Sequence, residues 1–378
     1  MYCICRTAFV NPESTGFPAA DWYNLVVSLR VRDLWIGEAM IVVMKPGASK
    51  ECIQHVIDLV RDYGLKEHPI YGTDRTVIAC IGDKRAVDKG AIENAPMVEK
   101  VMPILAPYKM ASLEVKKDIS QICIGPNQIP IGGTKIGVIA GPCAVENREQ
   151  ILTTAHAIKD AGCMGLRGGA YKPRTSPYSF QGLGLEGLKI MAEAREQTGL
   201  AIVTEVIGLE QVESVAEYSD LLQIGARNMQ HYPLLEAVGK THKPVLLKRG
   251  MSATLDEFLL AAEYIINAGN PNVILCERGI RTHERYVRNT LALAAIPALR
   301  ERTHLPIVID PSHGTGHAYM VPSMCLAAVA AGADGLIIEC HPDPEHAASD
   351  GAQSITPKVM TELMVKLRRV AEAVDRQL

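Results

Sequence analysis

The feature that most constrains the fold of this chain is one pattern that repeats eight times from residue 137 onward. Each time, a short apolar segment is followed by a polar motif and a helical stretch, and a helix at 356–375 comes last. The apolar segments are 138–140, 165–167, 201–204, 221–224, 245–247, 273–275, 307–309 and 335–338. Such runs are typical of parallel strands buried on both faces. Without a Gly-rich dinucleotide motif after the first segment, the repeats predict a (β/α)8 TIM barrel over 137–378 rather than an open doubly wound sheet.

The segment 40–106 carries a different pattern, which reads strand, helix, strand, strand, helix, strand. The predicted strands lie near 41–44, 67–71, 76–81 and 99–104, and the predicted helices are 49–63 and 85–94. This order is that of a small ferredoxin-like domain. Domains of this kind commonly bind effectors or partners, so a regulatory role is one expectation for 40–106, although a fold alone does not establish it.

Two segments lack a periodic pattern. Residues 1–39 contain both tryptophans of the chain but no helical or strand period, and they predict a poorly structured N-terminal extension. Residues 107–136 contain Pro107, Pro126 and Pro130 and the pair Gly132-Gly133. Such breakers are typical of a linker, so this segment is predicted to lead into the barrel.

Composition narrows the class of function. Hydrophobic residues make up 48% of the chain and the formal net charge is −3, so the bulk charge gives no reason to expect nucleic-acid or membrane binding. No apolar run approaches the roughly 20 residues of a spanning helix, and no signal-peptide pattern is evident. The ten cysteines are dispersed without a Cys-x-x-Cys pair. We therefore expect reduced thiols in a cytoplasmic protein.

Several polar residues directly follow the predicted barrel strands, where the active site of a (β/α)8 barrel lies. Cys143 follows the first strand, His313 the seventh, and Glu339 and Asp350 the eighth. Each of these residues alone is more often structural. Together, a thiolate, an imidazole and two carboxylates at one barrel mouth form a mixed soft and hard donor set. The sequence therefore predicts a site for one divalent metal, with Mn, Fe, Co and Zn all open.

A second group of residues at the strand ends is cationic. Its members are Arg167, Lys172, Arg174, Arg227, Lys248 and Arg278. A single arginine is usually a solvated ion-pair partner, but six converging cations in a nearly neutral protein need anionic partners. Their number predicts small substrates that carry more than one phosphate, together with a carboxylate.

The motifs that hold these residues resemble those of the 3-deoxy-D-arabino-heptulosonate 7-phosphate (DAHP) synthases. The strings are GPCAVE (141–146), RGGAYKPRTSPYSFQG (167–182), IGARNMQ (224–230), LLKRG (246–250), CERGIRT (276–282), DPSHGTG (310–316) and ECHPDPEHAASDGAQS (339–354). The resemblance covers residues 40–378 and is closest to the subtype with an N-terminal ferredoxin-like domain. It implies a metal-dependent condensation of phosphoenolpyruvate with D-erythrose 4-phosphate, the first step of the shikimate pathway to chorismate and the aromatic amino acids.

The resemblance also implies roles for individual residues. The metal ligands map onto Cys143, His313, Glu339 and Asp350. The phosphoenolpyruvate contacts map onto Arg167, Lys172, Glu205, Gly225, Ala226, Arg227, Lys248 and Arg278. The erythrose 4-phosphate contacts map onto Lys172, Pro173, Arg174, Thr175 and Asp350. Lys172, Glu205 and His341 are the candidates for proton handling, and the sequence does not rank them.

Three other functions remain to be weighed. The sister family of 3-deoxy-octulosonate 8-phosphate synthases shares the barrel, but it usually carries a Lys-Ala-Asn-Arg-Ser type string where this chain has Lys172-Pro-Arg174-Thr175-Ser176. A non-catalytic barrel that binds partners would be expected to have lost a ligand or a cation, and none is missing. A Schiff-base aldolase would need a lysine in an apolar pocket. Lys248 is the candidate, but the metal-ligand types would then be unexplained.

Regulation and assembly are expectations from the subtype alone. In relatives with the ferredoxin-like domain, that domain binds an aromatic amino acid, so tyrosine or phenylalanine is a possible effector of this chain. The domain could equally serve only in contacts between subunits. Relatives are typically tetramers, which makes a homo-oligomer the expectation here.

Overall fold

The computed structural model describes residues 39–71, 75–81, 87–103, 108–113, 115–174, 176 and 178–378. The predicted extension at 1–39 lies outside the described residues except for its last residue, which begins the first strand. The chain divides after Lys109 into two compact units, and each is described by itself below.

The first unit has the predicted ferredoxin-like order. Its elements are β1 (Ala39–Met44), α1 (Lys50–Asp62), β2 (Lys66–Tyr71), β3 (Thr76–Ile81), α2 (Lys89–Glu93) and β4 (Val98–Pro103). The strands form an antiparallel sheet in the order β2-β3-β1-β4. The prediction from the sequence is confirmed, although α2 is shorter than the segment 85–94 proposed for it.

The sequence of α1 explains how this unit closes. Ser49 caps the helix by accepting a hydrogen bond from the Cys52 backbone. Ile53, Val56 and Val60 recur at helical spacing and pack into one buried cluster that also contains strand residues of the sheet. The apolar stripe of the helix thus covers one face of the sheet and forms the core of the unit.

The second unit begins with two short strands, β5 (Ile122–Ile124) and β6 (Ile129–Ile131), and continues as a closed barrel of eight parallel strands. They are β7 (Gly137–Gly141), β8 (Gly165–Arg167), β9 (Ala201–Val206), β10 (Leu221–Ile224), β11 (Val245–Lys248), β12 (Val273–Glu277), β13 (Ile307–Ile309) and β14 (Gly335–Glu339). The last strand pairs with the first and completes the ring. All eight predicted segments are strands in the structure, so the barrel prediction is confirmed.

Helices follow the strands. They are α3 (Arg148–Ala161), α4 (Leu185–Thr198), α5 (Val212–Tyr218), α6 (Tyr232–Lys240), α7 (Leu255–Asn267), α8 (Ala295–Arg300), α9 (Pro311–Thr315), α10 (Val321–Ala330) and α11 (Pro357–Ala373). The short helix α9 differs from the others, because it begins directly after β13 and carries His313 at the carboxyl end of that strand. Within the described part of the chain, no helix is both long and apolar enough to cross a membrane.

A two-stranded hairpin lies within the segment predicted as a linker and barrel lead-in, 107–136. It consists of β5 (Ile122–Ile124) and β6 (Ile129–Ile131). Its isoleucines pack in one buried cluster with Ala201 and Leu221, the first residues of β9 and β10. The hairpin therefore covers the amino-terminal end of the barrel, and the carboxyl ends of the strands are left to form the site.

Candidate active site

The carboxyl ends of the barrel strands surround a cavity of about 340 Å³. Among the residues that line it are eleven of the twelve predicted substrate contacts: Arg167, Lys172, Pro173, Arg174, Glu205, Gly225, Ala226, Arg227, Lys248, Arg278 and Asp350. The twelfth, Thr175, lies outside the described residues. Residues spread over nearly two hundred positions of the sequence thus meet at one place, as the strand-end argument requires.

The predicted metal donors lie at one side of this cavity. Donor atoms of Cys143, Glu339 and Asp350 all lie within 4.8 Å of one another. The fourth predicted donor, His313, lines the cavity, and its Nε2 lies 3.5 Å from Oε1 of Glu339. A sulfur, an imidazole nitrogen and two carboxylate oxygens therefore converge, a donor set that fits a divalent transition metal without selecting one.

Asp310 fixes the orientation of the His313 ring. Its side chain caps α9 by accepting from the His313 backbone N–H, and its Oδ2 lies 2.7 Å from Nδ1 of the same histidine. Lys248 Nζ donates to the same oxygen at 2.5 Å. Since Nδ1 faces this carboxylate, Nε2 is the ring nitrogen that faces Glu339 and remains available to a metal.

Burial and neighbouring groups together set the charge states of the donors. It raises the pKa of the Cys143 thiol to about 12, and the neighbouring Glu339 carboxylate adds to that shift. For Asp350, burial opposes ionisation, but the Cys143 hydrogen bond and Arg288 prevail and hold its pKa at about 2. Burial lowers the pKa of His313 despite the adjacent Asp310. At neutral pH the Cys143 thiol therefore keeps its proton in the metal-free protein, whereas the Asp350 carboxyl is ionised.

Two predicted cations touch the donor set directly. The guanidinium of Arg167 donates to Oε1 of Glu339 at 2.7 Å. Lys172 Nζ donates to the carbonyl oxygen of Cys143 at 2.9 Å and to its sulfur at 3.0 Å. Arg174 lies on the same loop after β8 as Lys172 and donates to the hydroxyl of Ser349, which follows β14, at 2.7 Å. Anion-binding groups and metal donors thus share one network.

Glu205 is held in a narrow space next to Gly225. A Cβ placed on Gly225 would lie 2.0 Å from Oε1 of Glu205, so only glycine allows the carboxylate this position. The other oxygen, Oε2, accepts from the amide of Gln223 at 3.2 Å. The backbone and one amide therefore aim Glu205 into the cavity.

His341 is the one predicted catalytic candidate that does not line the cavity. Its side chain is buried, its Nδ1 accepts from the backbone of Asp343 at 3.0 Å, and its Nε2 lies 3.4 Å from Glu146 Oε1. Its role in proton handling stays a prediction. Lys172 and Glu205, the other two candidates, both face the cavity.

The structure also adds residues that the motifs did not single out. They are Gln223, Met251, Arg281, Arg288 and Asn289 on the cavity wall, and Asp310, Ser349 and Gln353 behind it. Four of them lie inside quoted motifs: Arg281 in CERGIRT, Asp310 in DPSHGTG, and Ser349 and Gln353 in the last string. Metal-binding carboxylates usually have hydrogen-bond partners of their own, so a polar side chain close to Asp350 in the sequence, such as Gln353, could have been predicted as one.

Comparison with known protein families decides what this barrel is. The DAHP synthetase I family matches residues 114–376, and the DAHP synthase ferredoxin-like domain matches residues 40–106. The chain belongs to the DAHP synthetase I family. The resemblance drawn from the motifs is confirmed, and with it the prediction of a DAHP synthase. DAHP synthases are in general metal-dependent, which agrees with the donor set described above.

Individual relatives give the same result over nearly the whole length. The phospho-2-dehydro-3-deoxyheptonate aldolase of Thermotoga maritima is 49% identical over 334 residues, which are 88% of this chain and 98% of the relative. A crystal structure of that DAHP synthase aligns with a TM-score of 0.73 at 48% identity, covering 90% of this chain and 99% of the other. The match therefore includes both units of a DAHP synthase with a ferredoxin-like domain.

Members of the sister family are more distant. The 2-dehydro-3-deoxyphosphooctonate aldolase of Koribacter versatilis is 33% identical over 65% of this chain and 95% of its own length. These values are lower than those of the Thermotoga protein in both identity and coverage. The comparison favours the DAHP synthases over the sister family, as the Arg174-Thr175 pair does.

Proposed function

We propose that the barrel mouth condenses phosphoenolpyruvate with D-erythrose 4-phosphate and water to give DAHP and inorganic phosphate. The observation that carries this proposal is the convergence of eleven predicted substrate contacts on one cavity beside the four predicted metal donors. The cavity holds enough cations for two phosphates and a carboxylate. This chemistry supplies the first intermediate of the shikimate pathway and of aromatic amino acid biosynthesis.

The two substrates are assigned to two parts of the cavity. Phosphoenolpyruvate is bound by Arg167, Lys172, Glu205, Gly225, Ala226, Arg227, Lys248 and Arg278. Erythrose 4-phosphate is bound by Lys172, Pro173, Arg174, Thr175 and Asp350. What supports this division is that Arg174 donates a hydrogen bond to Ser349, the residue next to Asp350. Lys248 and Arg278 lie elsewhere on the barrel mouth, at the end of β11 and directly after β12. Lys172 belongs to both groups.

A divalent metal, whether Mn, Fe, Co or Zn, would be held by Cys143, His313, Glu339 and Asp350. When bound, it supplies a Lewis acid for the aldehyde oxygen of erythrose 4-phosphate and stabilises negative charge there.

The residues of the chain position the reactants and handle protons. C3 of phosphoenolpyruvate forms a bond to the aldehyde carbon, and Lys172 is placed to give a proton to the new alkoxide oxygen. Water adds to C2 and loses a proton, with Glu205 orienting it. The hemiketal phosphate then breaks its C–O bond to leave the keto acid and inorganic phosphate. Holding the two substrates in register can contribute roughly 7–11 kcal/mol to lowering the barrier.

The test of this function is a coupled assay on metal-stripped protein. Purified chain is treated with a chelator and given phosphoenolpyruvate and erythrose 4-phosphate, with and without Mn²⁺. Loss of phosphoenolpyruvate should return only when metal and sugar phosphate are both present. Consumption with arabinose 5-phosphate in preference to erythrose 4-phosphate would instead assign the chain to the sister reaction.

The ferredoxin-like unit is proposed to bind an aromatic amino acid and to regulate the barrel. The support is the match of residues 40–106 to the ferredoxin-like domain of DAHP synthases. Calorimetric titration with tyrosine and with phenylalanine tests this role, and an absence of binding in both would favour a domain used only in subunit contacts.

Assembly and location belong to the same proposal. We expect a homo-oligomer, a tetramer by analogy with relatives, which sedimentation of the purified chain can measure. We expect a cytoplasmic enzyme, because the cysteines that the structure describes are all free thiols. Fractionation of the source cells tests that location.

A further inference from the structure

A pair of residues that no motif singled out joins the two carboxylates of the proposed metal site. Gln353 is buried, and its Nε2 donates to Oε2 of Glu339 at 2.6 Å. Its Oε1 accepts from Nη1 of Arg288 at 2.8 Å. The same Nη1 lies 3.2 Å from Oδ1 of Asp350. One guanidinium and one amide therefore hold one oxygen of each carboxylate.

The remaining oxygens point toward the other donors. Asp350 Oδ2 accepts from the Cys143 sulfur at 3.1 Å. Glu339 Oε1 lies 3.5 Å from Nε2 of His313, and it also accepts from Arg167. In each carboxylate, one oxygen thus accepts a hydrogen bond from the pair, Asp350 from Arg288 and Glu339 from Gln353. The other oxygen faces the Cys143 sulfur or the His313 imidazole.

From this division of the oxygens we infer that Arg288 and Gln353 are positioning residues for the metal site. They form a clamp, hereafter the carboxylate clamp, that turns one oxygen of Glu339 and one of Asp350 toward the metal. The inference deepens the proposed metal site and rests on it. Because Arg288 lies on the cavity wall, its position alone would suggest a role in substrate binding. The inference assigns it a second role, which is to orient the metal-binding carboxylates.

The backbone at Asp350 gives a reason why a clamp is needed. Asp350 has a φ of 54°, in the left-handed backbone region that residues other than glycine adopt infrequently. It lies in a short loop between two single turns of 3-10 helix, Pro344–His346 and Gly351–Gln353. Arg288 reaches this loop from the segment between β12 and α8, 62 residues away in sequence, and ties the carboxylate to a second part of the barrel.

The size of the effect follows from how such partners act. A carboxylate that is free to rotate must be ordered when the metal binds, whereas a clamped one is already oriented. Loss of a hydrogen-bond partner behind a metal ligand typically weakens metal binding about 10- to 100-fold. We expect this range for Arg288→Met, which removes both donated hydrogen bonds, and for Gln353→Met, which keeps most of the side-chain volume.

The deciding experiment measures metal binding without substrates. Metal-stripped protein is titrated with Mn²⁺ by calorimetry, so that any direct role of Arg288 in substrate binding does not contribute. Arg288→Met and Gln353→Met should each raise the Kd about 10- to 100-fold. The double variant should raise it little further, because the two residues act as one unit. Arg285→Met, an exposed cation on the same segment, is the matched control and should keep the Kd within about twofold.

The inference is overturned if Arg288→Met unfolds cooperatively like the parent and binds Mn²⁺ with the parent Kd. Since the Arg288 side chain is 38% exposed, this variant is expected to fold even if the buried Gln353→Met does not. A parallel titration of Cys143→Ala separates this failure from a failure of the metal site itself. If Cys143→Ala loses the metal and Arg288→Met does not, the site is right and the clamp is wrong.

Discussion

The ammonium of Lys172 lies 3.0 Å from the sulfur of Cys143 and also donates to the carbonyl oxygen of that residue at 2.9 Å. One side chain therefore connects a predicted metal donor with the cavity where the substrates are proposed to bind. The Lys172 side chain therefore lies beside the donor set that would hold the metal. This contact makes Lys172 the strongest of the three candidates for the proton donor.

Replacing Lys172 with methionine should remove the proton but keep the length of the side chain. General acid catalysis is typically worth about 10²- to 10⁴-fold, so kcat should fall by that factor while the bound metal is retained. Steady-state assays and metal analysis of the purified variant measure both. Lys189→Met, an exposed lysine on α4, is the control for a lost charge. A kcat within threefold of the parent would exclude Lys172 as the donor.

Cys143→Ala should weaken Mn²⁺ binding at least about 100-fold and abolish activity at limiting metal, because it removes the only sulfur donor of the predicted set. The fold should persist. The free energy of unfolding should fall by about 0.5–3 kcal/mol, which is the usual range for a destabilising substitution. Cys163→Ala is the matched control, since Cys163 is also a buried thiol but lies before β8, at the other end of the strands. Full metal occupancy in Cys143→Ala would refute the ligand assignment.

Arg174→Ala should act on the sugar phosphate rather than on phosphoenolpyruvate. A hydrogen bond to a charged group is worth about 1.5–3 kcal/mol, so the KM for erythrose 4-phosphate should rise about 10- to 100-fold. The KM for phosphoenolpyruvate should change by less than about threefold. Initial rates over a grid of both substrates separate the two constants. Equal increases in both would mean that the two anion sites have been interchanged.

The sequence predicted the barrel well because its strands are buried on both faces. Segments such as 245–247 and 307–309 are uniformly apolar, and the rule that active sites lie at strand ends then brings Cys143, His313 and Glu339 together without knowledge of the structure. For these three residues, the residue type and the position after a strand were sufficient to predict that they lie close together. Thr175 is the one predicted contact whose place the described residues do not include.

What the sequence did not predict depends on side-chain geometry over long separations. Arg288 and Gln353 are 65 residues apart and meet only because their loops lie at one mouth. Asp310 holds His313 through a helical turn that no periodicity indicates. The hairpin at 122–131 did leave a signal, the alternating isoleucines at 122 and 124, but the prolines and glycines around it favoured a linker.

Gly225→Ala should disable the site without a change in charge. The new Cβ would lie 2.0 Å from Oε1 of Glu205, so the carboxylate must move out of its position. Displacement of a catalytic group by about 1 Å can cost about 10²-fold in rate, and we expect a loss of kcat of that order. Gly250→Ala is the control, because its nearest contact is a Cβ at 3.3 Å, and it should lose much less. Comparable losses in both variants would point to general strain at the mouth.

Metal binding should depend on pH through the Cys143 thiol. Burial, followed by the charge of Glu339, raises the pKa of this thiol to about 12, so the metal-free protein carries the proton at neutral pH. Cys143 would hold a metal as the thiolate, so metal binding would release this proton. Asp350 has a pKa of about 2 and is already ionised, so it adds no further proton.

The affinity for Mn²⁺ should therefore rise with pH, by about tenfold per unit between pH 7 and 9, because one proton is released per metal bound. Calorimetry in buffers with different ionisation enthalpies counts that proton directly. Cys143→Ser keeps the size of the side chain but offers no thiol, so its much weaker binding should lose most of this pH dependence. A parent Kd that is constant over the same range would mean that the thiol is already ionised in the metal-free protein, with Lys172 as its counter-charge.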